Sequence, residues 1–85
     1  MKLDKEELTI YEVEDLHKEL AIEIQKGDIV LDMEQVNKID MSVVQLLIST
    51  KKTAFKNETQ FELHNVSDEL KDFFNNSSCS FLLGS

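Results

Sequence analysis

The sequence holds no proline, two glycines and one cysteine among 85 residues, and each shortage removes a class of behaviour. Without proline, and without a repeat, a low-complexity tract or a linker, nothing divides the chain, so it reads as one domain over residues 1–85. At that length a single hydrophobic core is the limit, and a deep substrate pocket is not expected. With glycine only at positions 27 and 84, no G-x-G-x-x-G or G-x-x-x-x-G-K-[ST] loop exists to wrap backbone N–H groups around a phosphate. That argues against nucleotide hydrolysis. The lone Cys79 excludes an internal disulfide and a zinc site of several thiolates, and it reads as an inert thiol in a reducing, cytoplasmic compartment.

Basic residues are scarce too: 9 stand against 17 acidic ones, for a formal net charge of −8. Such a chain repels phosphate backbones and anionic lipid surfaces, and no basic stripe interleaved with aromatics offsets this, so nucleic-acid binding is disfavoured. The acidic surplus itself reads as solvated surface. His17 and His64 stand apart from any metal-ligand spacing and are expected in solvent. Neither Ser42 nor Cys79 sits in a nucleophile signature such as G-x-S-x-G, and acidic pairs such as Glu12 and Glu14 fit a helix face in water. No catalytic residue, metal or cofactor is therefore assigned, and the chain is not expected to be an enzyme. The opening MKLDKEEL has no apolar core of signal-peptide length, and the apolar-rich stretch from Met41 to Ile48 is broken by Ser42 and Gln45, so no membrane insertion is expected.

What is present is alternating periodicity. Residues 5–9 fit a short strand. From Tyr11 to Gln25, Val13, Leu16, Leu20 and Ile24 recur at helical spacing, and Gly27 supplies the stop. Ile29-Val30-Leu31, continued through Asp32 and Met33, reads as an interior strand covered on both faces. A loop from Glu34 to Asp40 follows, with Val36 and Ile39 turned inward. The spacing of Val44, Leu47, Ile48 and Phe55 predicts a second helix from Met41 or Ser42 to about Lys56, with Asp40 as N-cap. Phe61 and Leu63 alternate with polar residues as a strand, and Ser67 caps a third helix that carries Leu70, Phe73 and Phe74 and ends in Asn75 to Ser78. The tail Phe81-Leu82-Leu83 packs back onto the body or frays. Strand, helix, strand, helix, strand, helix calls for an α/β fold with a mostly parallel sheet. Recognition surfaces in such folds gather where strands end and helices begin, here Thr9 to Tyr11, Asp40 to Ser42 and Asn65 to Ser67.

The stretch IVLDMEQVNKIDMSVVQLLISTKKT resembles the heart of the STAS domain family, which includes anti-sigma-factor antagonists and cytosolic parts of some transporters. EELTIYEVEDLHKEL is similar to the family's first strand-to-helix passage, and FELHNVSDELKDFF to its later strand, Asn-x-Ser turn and helix. The resemblance runs from Glu6 to Phe74. It implies a STAS-like four- or five-stranded, mostly parallel or mixed sheet flanked by helices, in a short form that lacks a leading strand and the closing elements.

The resemblance also implies a protein partner at the start of the second helix. In antagonist members a serine in an Asp-Ser-Ser-Gly-like turn is phosphorylated by a kinase-type anti-sigma factor, and only the unmodified form binds. Asp40 matches the family aspartate, Met41 takes the place of the first serine, Ser42 matches the second serine, and Val43 replaces the glycine. Ser42 is then either the phosphorylation site or a contributor to the helix cap. The contact set expected from the corners is Thr9, Ile10, Tyr11, Asp40, Met41, Ser42 and Ser67. The partner implied is an anti-sigma factor or serine kinase, or a chemotaxis protein, in bacterial signalling. The alternative is a small STAS subunit of an ABC-type lipid transporter bound to its ATPase. A monomer or a weak homodimer fits either.

Overall fold

Thr9 leaves the helical region with φ −120° and ψ −178°, and its hydroxyl accepts the N–H of Tyr11. Glu12 answers by accepting the Thr9 backbone N–H at 2.8 Å and hydroxyl at 2.7 Å, which closes a capping box. This fixes the start of α1 (Ile10–Lys26) in a computed structural model that describes residues 1–77 and Leu82. Leu16 and Leu20 form the buried stripe of α1, with Val13 and Ile24 at its margin. Gly27 ends it at φ 122° and ψ −130°. No heavy atom within 4 Å would meet a Cβ there, so the backbone angle and not the space calls for glycine.

The strands are short and parallel. Before α1 lies β1 (Glu7–Leu8), and after it come β2 (Ile29–Asp32), β3 (Lys38–Ile39), α2 (Met41–Lys56), β4 (Phe61–His64) and α3 (Asp68–Asn76). β2 pairs with β4 from Ile29 opposite Phe61 to Asp32 opposite His64, and β1 pairs with β3 with Leu8 opposite Ile39. The expected sheet is therefore built as two two-stranded parallel ladders. β3 falls inside the stretch expected as loop, where Val36 and Ile39 are buried as anticipated. A leading extended segment is also present: Lys2 bridges Asp32 in parallel, Leu3 N–H donates to the Asp32 carbonyl, and Asp32 N–H donates to that of Met1.

The helices cover one side of β2 and β4, and the other side faces water. Ile29, Leu31, Phe61 and Leu63 are buried, while Val30 is 39% exposed and Glu62 and His64 lie on the surface. The expectation that Ile29 to Leu31 is covered on both faces is corrected accordingly: β2 alternates, as a strand in a two-layer fold must. Val36, Val43, Val44, Leu47, Leu70, Phe74 and Leu82 join the core, so part of the tail does reach the body, while Cys79, Phe81 and Leu83 lie outside the described residues. Phe55, expected inward, is 85% exposed. The buried face of α2 runs through Val43, Val44, Leu47, Thr50 and Ala54, and Phe55, eleven residues beyond Val44 on nearly the same side, stands on the last turn where that side is exposed.

Truncation separates the two apolar classes on α2. Leu47→Ala should cost about 2–5 kcal/mol of unfolding free energy in a denaturant titration, and Phe55→Ala less than about 0.5 kcal/mol. Comparable losses for both would contradict the assignment of the buried face.

Candidate functional site: paired helix N-termini

The β1–β3 ladder delivers the starts of α1 and α2 to the same place. Its last rung continues as the Asp40 N–H donating to the Leu8 carbonyl at 3.1 Å. Asp40 is the N-cap of α2, as the sequence indicated, and its Oδ1 accepts the Val43 N–H at 3.3 Å. Its second oxygen does something that the sequence did not announce. Oδ2 accepts the N–H of Ile10, the first residue of α1, at 2.8 Å. One carboxylate thus satisfies orphan donors of two helices, and two positive helix ends share one negative group.

Around this junction the side chains divide by role. Thr9 and Asp40 are half-buried and engaged with backbone. Ile10, Tyr11 and Met41 project outward, 62%, 89% and 44% exposed. Ser42 is half-buried at the second position of α2, and its hydroxyl makes no hydrogen bond among the described residues, so the cap belongs to Asp40 alone. Val43, at the position of the family glycine, is fully buried.

Ser67 does not join this group through any hydrogen bond. It caps α3 by accepting the Leu70 N–H at 3.2 Å, and its corner is tied instead to the end of β2. There Asn65, at φ 58°, donates from Nδ2 to Asp32 Oδ1, which also accepts the Glu34 N–H. The structure therefore brings together six of the seven expected contact residues and leaves Ser67 at a separate junction.

Two carboxyls at these junctions titrate below their ordinary range. The Thr9 hydroxyl, then its N–H, hold Glu12 down, helped by Lys5 at 3.9 Å and opposed by desolvation. The Asn65 amide, then the Glu34 N–H, hold Asp32 down, with Lys2 and His64 adding smaller attractions. Glu12 is thus more than a carboxylate on a solvated helix face: T-I-Y-E at positions 9–12 is a capping-box pattern that the sequence displays openly.

Among the described residues, no cluster of three metal-binding side chains occurs, and no buried side-chain polar atom lacks a partner. His17 and His64 are exposed, as expected, with His64 3.5 Å from Glu62. A half-open groove of about 180 Å³ separates α1 from α2, lined by His17, Ala21, Ile24, Leu46, Ser49 and Thr53. The Thr50 and Thr53 hydroxyls there are already spent on the Leu46 and Ser49 carbonyls. None of the described helices is long and apolar enough to cross a membrane. What the junction offers is a pinned backbone that displays three apolar side chains.

Residues 5–83 match a family model described as Mlab, STAS domain, which spans nearly the whole chain. No curated protein matches the sequence.

The pH dependence follows from the lowered carboxyls. An unfolded chain binds more protons at these groups in acid, so their stabilisation is present above the ordinary values of 4.5 for Glu12 and 3.8 for Asp32 and is lost as pH falls through the lowered folded values. Thr9→Ala should cost about 1 kcal/mol and return the Glu12 carboxyl toward its ordinary value in an NMR titration. An unmoved Glu12 titration in that variant would contradict the capping-box geometry.

Proposed function

We propose, from the premise that the chain belongs to the STAS domain family, that it is a docking module whose protein partner seats on the paired N-termini of α1 and α2. The observation that carries this reading is the exposure of Ile10, Tyr11 and Met41 around an Asp40 that fixes both helix starts. The exposed aromatic supplies contact area with few torsions to freeze, and the unbranched methionine adapts its shape to the surface it meets. The mechanism is recognition: the partner buries the three apolar groups, while the pinned junction holds them in register.

In the first reading the partner is an anti-sigma factor, serine kinase or chemotaxis protein of a bacterial signalling pathway, and Ser42 is the switch. Its hydroxyl makes no hydrogen bond among the described residues, and the residue is half-buried. A phosphate there adds roughly −1.5 to −2 charge two residues from the Asp40 carboxylate. The helix N-terminus offsets part of that repulsion, but an acidic or apolar partner surface would be driven off. The second reading, a small subunit bound to the ATPase of an ABC-type lipid transporter, is supported by position 41. A methionine there leaves no hydroxyl at the first serine position of the family turn.

The test is capture from native lysate with mass spectrometry of what is retained. Wild type should retain one dominant protein, while Met41→Lys and Tyr11→Ala lose at least about tenfold of it, a change equivalent to about 1.4 kcal/mol, with unfolding midpoints close to wild type. Undiminished capture by both variants would remove the junction as the docking site. An ATPase in the eluate selects the transporter reading, and a kinase or sigma regulator the signalling one. Phosphate on Ser42 in the same spectra, with Ser42→Asp failing to capture, identifies the switch.

A further inference from the structure

Two surfaces lie away from the junction, one convex and one concave. α2 carries three of the 9 basic residues, Lys51, Lys52 and Lys56, and none of the 17 acidic ones. Lys52 and Lys56 make no ion pair among the described residues. They frame Phe55, which stands 85% exposed on the last turn. On the helical wheel these three span about 100°, so the ring and both ammonium groups share one side of the tip.

The concave surface is a half-open groove of about 260 Å³ between the leading segment and the first turns of α1. The buried Leu3, Leu8 and Leu16 form its floor, and the exposed Asp4, Asp15 and Glu19 stand on its rim. Of the two lysines that also line it, Lys5 pairs with Glu12 at 3.9 Å and Lys2 lies beside Asp32. The Asp4, Asp15 and Glu19 carboxylates make no hydrogen bond or ion pair among the described residues. Asp15 and Glu19 are one turn apart on α1, a rise of about 6 Å, and the same rise separates Lys52 from Lys56 on α2.

We infer that the α2 tip of one copy of the chain seats in the α1 groove of a second copy. Phe55 enters over the leucine floor, and the space suffices, since a cavity of about 150 Å³ already holds a benzene ring. With the two helices antiparallel, Lys56 meets Asp15 and Lys52 meets Glu19. The negative end of α2 then approaches the positive start of α1. Each surface supplies what the other lacks: the exposed ring is covered, and two ammonium groups and two carboxylates gain partners. The net charge of −8 on each copy opposes association at long range. At physiological ionic strength the Debye length is about 8 Å, so the charges that face each other decide the contact.

One chain can offer both surfaces at once, because α1 faces α2 through His17, Ala21 and Ile24 and the groove through Asp15 and Glu19. The contact is therefore heterologous, and copies add head to tail, closing as a ring or running on. So small an interface makes the association weak and concentration-dependent. Neither surface contains Ile10, Tyr11 or Met41, so the inference stands apart from the docking reading and fails or holds independently of partner capture.

Sedimentation of the purified full chain under reducing conditions tests the contact with two double variants. Lys52→Glu with Phe55→Ser removes the tip, and Asp15→Lys with Glu19→Lys removes the groove. All four positions are exposed, so unfolding midpoints should stay close to wild type. Wild type should show a mass that rises with concentration, and each double variant alone should associate at least tenfold more weakly. Mixed together, the two variants should form a complex of one chain of each, because one keeps the groove and the other keeps the tip. The inference is overturned if wild type stays a single chain at millimolar concentration, if either variant associates like wild type, or if the mixture is no larger than its parts.

Discussion

The Asp40 carboxylate is the joint on which the molecule turns. One oxygen caps α2 through Val43 and the other reaches 30 residues back to the Ile10 N–H at the start of α1. Without it, two helix N-termini would lie side by side with unsatisfied donors and like partial charges facing each other. With it, the short β1–β3 ladder, only two residues to a strand, becomes a fixed corner. Two-residue strands have little stability of their own. Their register here is held from the ends, by Asp40 beyond Ile39 and by the Glu6 carbonyl accepting from both Asn37 and Lys38.

The same device recurs where the other ladder begins and ends. Asp28 Oδ1 accepts the Gln60 N–H just before β2 and β4 pair, and Asp32 Oδ1 ties the Asn65 and Glu34 turns just after. Three of the aspartates in a chain of net charge −8 therefore act as backbone acceptors. This adds to what the acidic surplus means: part of it also holds the backbone together. It also bears on function. In the docking reading proposed above, carboxylates that hold the backbone ends fix the points at which Ile10, Tyr11 and Met41 leave the main chain.

Much of this was legible in the residues and some was not, for identifiable reasons. The three helices could be read because Leu16 and Leu20, Val44 and Leu47, and Leu70 and Phe74 keep helical spacing within segments of nine or more residues. Asp40 and Ser67 could be read as caps because capping is local. β3 and the pairing of residues 1–3 with β2 could not, since two-residue strands carry no periodicity and their partners lie far off in sequence. Val30 was misplaced because a run of Ile, Val and Leu looks the same whether one face or both is covered, and Phe55 because wheel geometry does not say where the core beneath a helix ends. The bridge from Asp40 to Ile10 was invisible for the same nonlocal reason, although each end was singled out as part of a corner. The capping box at Thr9 and Glu12 was local and open to view, masked only by the abundance of other carboxylates.

The double role of Asp40 is tested most directly by amide hydrogen exchange, residue by residue, in Asp40→Ala against wild type. The expected result is that the Ile10 and Val43 amides lose protection together while those in the middle of both helices keep theirs. Loss at Val43 with Ile10 unchanged would show that Asp40 caps a single helix, and would contradict the claim that one carboxylate joins the two helix starts.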